Sequence, residues 1–250
     1  MAIVLVIQES KNNMYKLDRV TKEVKDGTNS KIILNDISLE IQEGEFIGVS
    51  GESGAGKSTL LHILGGLDTI SSGILTFDSG NVSKMDDNRM SILRRKIGFV
   101  FQSAYLIDHL NVLDNVLMPL KINNKNTKKM RERAIECLVR VKMADDINSP
   151  SLLGYGKNLK LSQLPRTLSG GEKQRVAVAR AIVTNPSVIL ADEPTGSLDK
   201  ENEEIVFNLL QEINEKDGIT VVLVSHNQDL INKCSRIINI KDGKIVNSSN

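Results

Sequence analysis

Five residues at fixed spacing carry the most chemistry in this chain: Gly51, Gly54, Gly56, Lys57 and Ser58, in the run Gly51-Glu52-Ser53-Gly54-Ala55-Gly56-Lys57-Ser58-Thr59. The pattern Gly-x-x-x-x-Gly-Lys-Ser describes a loop that wraps a phosphate chain. Its glycines let the backbone curl so that successive amide N–H groups face inward. A helix beginning near Lys57 adds the positive end of its dipole. The Lys57 ammonium then reaches the β- and γ-phosphates, and the Ser58 hydroxyl is placed to ligate Mg2+.

Two further groups complement that loop. Val188-Ile-Leu-Ala-Asp192-Glu193 is an apolar run ending in two acids. A buried parallel strand carries such carboxylates to its C-terminal edge, where ligands sit in open α/β sheets. There Asp192 can hold Mg2+ through water, and Glu193 can polarise the water that attacks a γ-phosphate. Leu168-Ser169-Gly170-Gly171-Glu172 offers a hydroxyl and free amides at the start of a helix. That is a second anion site, although taken alone it is a plain Ser-Gly-Gly cap. Two phosphate-grade helix ends in one chain suggest that the second serves a nucleotide held by another copy. His62 and His109 read as ordinary side chains.

These groups need strands and helices to position them. Phe46-Ile-Gly-Val-Ser50 reads as a short buried strand entering the loop, and Leu60 to Leu64 as the apolar side of the helix leaving it. Residues 14–50 read as strands, and Ile32-Ile-Leu-Asn-Asp-Ile-Ser-Leu-Glu-Ile41 alternates as a sheet with one buried face requires. Ile74–Phe77 and Ile97–Phe101 are further strands, with a helix over Asn88–Lys96 between them. From about Ser103 to Thr167 the pattern is helices and loops. Met130, Ala134, Leu138 and Val141 share one helix face there, while Lys128, Lys129, Arg131 and Arg133 form a solvated one. Beyond Leu168, helices over 171–183, 200–216 and 227–234 alternate with strands over 187–191, 219–224 and 236–240. Asp242-Gly243 marks a closing hairpin. The expected fold is α/β, with a mostly parallel sheet interrupted by a helical lobe.

Bulk properties narrow the function. The 250 residues carry a net charge of +1, so no global field favours nucleic acid or an anionic membrane. Five Phe, three Tyr and no Trp leave little material for stacking single-stranded bases. Cys137 and Cys234 are too few for a disulfide framework and lack metal-ligand spacing, which fits a reducing cytoplasm. The apolar run Ala2–Ile7 is far too short to span a bilayer and lacks the basic flank of a signal peptide, so a membrane role requires a partner.

The order Gly51–Ser58, Gln102, Leu168-Ser-Gly-Gly-Glu, Asp192-Glu193, Ser197-Leu-Asp199 and His226 resembles an ATP-binding-cassette (ABC) ATPase from about residue 14 onward. The resemblance implies a P-loop NTPase core with a mostly parallel sheet, an N-terminal antiparallel β subdomain and an inserted helical subdomain. Core and β subdomain would occupy 14–102 and 168–250, the helical subdomain about 103–167, within one domain 14–250 preceded by an extension 1–13. It also implies that Gln102 contacts Mg2+ and the attacking water while signalling to the helical lobe, that His226 hydrogen-bonds the γ-phosphate, and that Asp199 lies between paired subunits. ATP and Mg2+ would be the ligands. Two copies would close head to tail, each ATP lying between one phosphate loop and the opposite Ser169-Gly170-Gly171. The closing motion would drive a separate membrane permease from the cytoplasmic face.

Gly65-Gly66-Leu67-Asp68, Tyr105-Leu-Ile, Asn115-Val-Leu-Met-Pro119-Leu and Asp192-Glu-Pro-Thr-Gly-Ser-Leu-Asp199 are similar to the lipoprotein-release, macrolide-export and peptide-antibiotic-resistance group. That implies export or extraction of a peptide, lipoprotein or antibiotic. The alternative is a cell-division ATPase of the same architecture that regulates a membrane complex without transport. ABC proteins of DNA repair carry a long coiled coil, and those of the ribosome carry two cassettes; this chain has neither feature. Two departures stand out. The family's adenine-stacking aromatic falls by spacing at Val24, leaving apolar contact from Val24 or a contribution from Tyr15. The stretch from Asn148 to Leu161, with Tyr155, is longer than the usual link into the signature.

Overall fold

A computed structural model of the chain describes residues 12–26, 29–121, 127–144 and 159–249. The Ala2–Ile7 run and Tyr155 lie outside those residues, as does most of the stretch 148–161. Of the expected extension 1–13, only Asn12 and Asn13 are described, and Asn13 already belongs to the first strand.

Strands β1 (Asn13–Asp26) and β2 (Asn29–Gln42) form a long antiparallel ribbon, and the chain turns at Glu43-Gly44 into β3 (Phe46–Ser50). Helix α1 (Lys57–Leu64) follows the glycine-rich loop. Strands β4 (Ser72–Phe77) and β5 (Gly80–Asn81) then extend the ribbon into a four-stranded sheet of order β2-β1-β4-β5. The expected alternation in β2 holds over Ile37, Leu39 and Ile41, all buried. It breaks phase before Ile37, since Leu34 is buried too, and the cause is local. Asp36 takes φ +57° and Arg19 on β1 takes φ +47°, in a stretch where the ladder register shifts.

Helix α2 (Asp87–Arg94) leads into β6 (Ile97–Phe101). Helices α3 (Val112–Lys121), α4 (Thr127–Arg140) and α5 (Leu159–Ser162) make up the helical region. The chain then alternates: α6 (Gly170–Ile182), β7 (Val188–Asp192), α7 (Lys200–Asp217), β8 (Thr220–Val224), α8 (Gln228–Ile231), β9 (Arg236–Lys241) and β10 (Lys244–Ser249). The helix expected over 227–234 ends early, at Ile231. The second sheet runs β10-β9-β3-β8-β7-β6, parallel throughout except for β10.

The central strands β3, β8 and β7 of that sheet are buried on both faces, which is why they are nearly continuous apolar runs. Ile189, Ala191, Val221 and Leu223 point into one core with α3, α4, α6 and α7. Their neighbours Val188, Leu190, Val222 and Val224 point into the other, with α1 and the antiparallel sheet. Met130, Ala134, Leu138 and Val141 lie together in the first core, as their spacing requires. Lys128, Lys129 and Arg131 are exposed, whereas Arg133 turns back to Asn185 and the Ile182 carbonyl.

Candidate functional site

The site is built along the C-terminal ends of β3, β7 and β8, where three loops leave the parallel sheet. Gly51 opens the first loop at φ +149°, and a Cβ there would overlap the carbonyl oxygen of Ile240 on β9. Gly56 closes it at φ +105°, against the Leu34 side chain and the Ile33 carbonyl on β2. No L side chain fits either position. The turn between β9 and β10 braces the same loop, since the Gly243 N–H donates to the Ala55 carbonyl at 3.1 Å and the Asn35 N–H donates to the Gly243 carbonyl at 2.8 Å.

Lys57 is buried, at 5% exposure. Its ammonium donates to the carbonyls of Gly51 and Glu52, both at 2.9 Å, curling the side chain over the loop. Among the described residues no carboxylate pairs with it, and two carbonyls use only two of its three donors. A buried cation in that state fits an anionic ligand. Glu52, Ser53 and Gly54 lie on the exposed side of the loop, and Thr59 stands in the first turn of α1.

Ser58 Oγ donates to Asp192 Oδ1 at 3.0 Å, joining α1 to the end of β7 across 134 residues of sequence. A hydroxyl and a carboxylate oxygen are the hard donors that Mg2+ takes, so these residues fit that ion. Glu193 follows in a left-handed conformation, φ +48°, which a non-glycine residue rarely adopts. Its N–H donates to the Val224 carbonyl at 2.9 Å, and its carboxylate meets His226 Nε2 at 2.8 Å. Gln102, one residue past β6, reaches the same space: a Cβ on Gly196 would stand 3.1 Å from Gln102 Nε2 and 3.3 Å from Glu193 Oε2. Lys57, Ser58, Gln102, Asp192, Glu193 and His226 are thus gathered by the strand ends.

Ser169, Gly170 and Gly171 stand on a separate element. Ser169 caps α6, accepting from the Glu172 N–H at 3.2 Å while the Glu172 carboxylate accepts from the Ser169 N–H at 3.0 Å. The Ser169 and Gly170 positions are exposed. The same helix is tied to the other group through buried Gln174, whose amide donates to the Phe101 carbonyl at 2.8 Å, next to Gln102. Asp199 caps α7, accepting from the Asn202 N–H.

Val24 is half exposed on β1, opposite Lys31. Tyr15 is not available to a base: it is wholly buried and its hydroxyl donates to the Leu64 carbonyl at 3.0 Å. His109 is exposed. His62 is better placed than an ordinary side chain, with Nε2 3.8 Å from Asp192 Oδ2. It lies one helical turn beyond Ser58, and that spacing is the signal that finds it.

The chain is similar to known proteins along most of its length. The family model described as ABC transporter matches residues 34–196. An uncharacterised ABC transporter ATP-binding protein of Methanocaldococcus jannaschii is 41% identical over 234 residues, covering 93% of this chain and 98% of that protein. The lipoprotein-releasing system ATP-binding protein LolD of Buchnera aphidicola is 40% identical over 218 residues, covering 87% and 89%. Among solved structures, a dimeric ATP-binding cassette in a post-hydrolysis state bound to ADP and Pi superposes with a TM-score of 0.83 at 39% identity, covering 95% of this chain and 98% of that one.

Proposed function

This chain belongs to the ABC transporter ATPase family, and from that premise we propose how its site works and what it serves. It is the ATP-binding and ATP-hydrolysing subunit of a transporter, acting as a dimer with a separate membrane permease. Among the described residues no helix is long and apolar enough to cross a membrane. The chain would work at the cytoplasmic face, held there by the permease. We read residues 14–250 as one ATPase domain, with core and β subdomain over 14–102 and 168–250 and the helical subdomain over about 103–167. The group of relatives that includes LolD supports export or extraction of a lipoprotein, peptide or antibiotic as the work done.

In this reading the N–H groups of Gly51–Thr59 cradle the phosphates, and Lys57 exchanges its two carbonyl partners for the β- and γ-phosphates. Ser58, Asp192 and Gln102 would hold Mg2+, which when bound neutralises charge on the phosphate oxygens. Glu193 positions the attacking water and accepts its proton, late in phosphoryl transfer. His226 hydrogen-bonds the γ-phosphate and steadies Glu193. Val24 gives the adenine an apolar edge without stacking. Ser169, Gly170 and Gly171 complete the site of a second copy, which closes on ATP and parts after hydrolysis removes that contact. A groove of about 480 Å3, lined by Arg94, Arg95, Phe99, Phe101, Pro119 and Arg180, spans β6 and α3 beside Gln102. A permease element seated there would feel any movement between the two.

The observation that carries this reading is the 3.0 Å contact of Ser58 with Asp192 beside the 2.8 Å contact of Glu193 with His226. Size-exclusion chromatography with Mg-ATP tests it on Glu193→Gln against the wild type. The expected result is a stable dimer for the variant alone, with ATPase activity lost. Hydrolysis at the wild-type rate by the variant would overturn the role given to Glu193.

A further inference from the structure

Asn202 is the third residue of α7, and the two ends of its side-chain amide address two different surfaces. The NH2 group donates to both carboxylate oxygens of Asp199, at 3.0 and 2.9 Å, while the backbone N–H of Asn202 donates to Asp199 Oδ1 at 2.9 Å. The amide oxygen faces α6, where it accepts from Arg175 Nη1 at 3.4 Å. It also lies where a Cβ on Gly171 would have to go, so the amide rests directly on the second glycine of the Ser169-Gly170-Gly171 turn. The orientation of the amide follows from its neighbours. Reversed, it would set oxygen against a carboxylate and NH2 against a guanidinium.

An ordinary capping role does not need this side chain. Asp199 caps α7 through the backbone N–H of residue 202, which any residue supplies. The side chain does something else: it fastens the loop that ends at Asp199 to the start of α6. The bonds from Asn202 hold the Asp199 carboxyl below the usual carboxylate range, as expected of a group fixed in its charged form.

We propose that Asn202 is a positioning residue for ATP-driven pairing, locking Asp199 to the Ser169-Gly170-Gly171 turn so that a second copy meets them as one preformed surface. The inference rests on the head-to-tail pairing proposed above. Gly171 is then glycine because Asn202 occupies its side-chain space, in addition to any need for close approach to a phosphate.

The test uses the full chain in the Glu193→Gln background, with Mg-ATP and analytical ultracentrifugation. If Glu193→Gln alone does not dimerise, the pairing scheme itself fails, whatever Asn202 does. If it dimerises, adding Asn202→Ala or Asn202→Asp should raise the dimer dissociation constant about tenfold or more, the scale of a lost hydrogen bond to a charged group. Binding of labelled ATP to the monomer should stay within about twofold, the scale expected where no contact to the nucleotide is lost. Asn202→Asp keeps the size of the side chain and puts a favourable charge in the first turn of α7, so it guards against a variant that fails to fold. Adding Gly171→Ala should weaken dimerisation strongly beside Asn202 and less beside Asn202→Ala, which removes the amide atoms 2.0 and 2.4 Å from the new Cβ and leaves only its own Cβ, at 3.0 Å. An unchanged dimer in Asn202→Asp, strictly additive losses in the Gly171→Ala pair, or an equal loss of monomer ATP binding would each overturn the proposal.

Discussion

His226 Nε2 and Glu193 Oε1 stand 2.8 Å apart at the ends of two neighbouring parallel strands, β8 and β7. Glu193 is also held at φ +48° by its bond to the Val224 carbonyl, so its carboxylate has one backbone anchor and one side-chain anchor. His226→Ala removes the second. We expect kcat to fall about 100-fold, the usual scale for a group that assists proton transfer, with KM for ATP within about threefold. Steady-state ATPase assays decide it, and an equal loss in kcat and affinity would point instead to a binding role.

Val24 is 47% exposed and offers no ring to a base. Val24→Tyr should tighten ATP and ADP binding alike, by roughly 3- to 10-fold, since a stacked aromatic pair contributes about 0.5–1.5 kcal/mol. Ribose triphosphate, which lacks the base, serves as control in the same calorimetric titration. An equal gain for it would show that the tyrosine acts on something other than adenine.

At Gly51 a methyl group would meet the Ile240 carbonyl and force a residue with a side chain into φ +149°. Gly51→Ala should therefore cost about 3 kcal/mol or more, in the range of strained-backbone and overpacking changes. Urea unfolding measures it. A loss below about 1 kcal/mol would mean that the loop can slide away from β9.

The Glu172 carboxyl lies below the usual range, chiefly because it accepts the Ser169 N–H, with Lys160 3.3 Å away adding to the effect. A pKa lowered by folding means that protonation favours the unfolded chain. The contribution of Glu172 is therefore complete above its unfolded value of about 4.3 and is lost as pH falls through the lower folded value. Glu172→Gln keeps an acceptor for the cap but loses the charge. It should be less stable by about 0.5 kcal/mol at pH 7, with the gap closing below about pH 4. Denaturation at the two pH values checks this.

Burial pushes the Cys137 thiol up to about 11 and the Cys234 thiol up to about 12. Neither supplies thiolate near neutrality. Iodoacetamide at pH 7.5 should leave both unmodified in the native protein and alkylate both in denaturant, as mass spectrometry will read.

The parts legible in the sequence were those that local rules decide. The strands Phe46–Ser50 and Ile97–Phe101 and the helix start at Lys57 fall where the apolar runs and the glycine loop put them. Of the six residues at the strand ends, Lys57, Ser58, Asp192 and Glu193 follow from the glycine loop and the apolar strand that precede them, whereas Gln102 and His226 come only from the resemblance to ABC ATPases. What escaped depends on packing between distant segments. Tyr15 is a candidate for the base from sequence, yet it is paired between Ile41 on β2 and Phe77 on β4 and buried, with its hydroxyl on the Leu64 carbonyl. His62 reads as an ordinary side chain until Asp192 is set beside it, and only its spacing of one helical turn from Ser58 hints at the site in sequence. Asn202 looks like any polar residue in a first helical turn until Gly171 and Arg175 are placed beside it.

The brace between the β9–β10 turn and the glycine loop sets an order of events during synthesis. Ile240 and Gly243 leave the ribosome long after Gly51–Thr59, yet they press on Gly51 and hold the Ala55 carbonyl. A nascent or prematurely stopped chain therefore carries the whole phosphate motif without the wall that shapes it. Until β9 and β10 are made, the glycine loop lacks the Ile240 carbonyl that faces Gly51 and the Gly243 N–H that holds Ala55, so its final shape is among the last things the chain acquires.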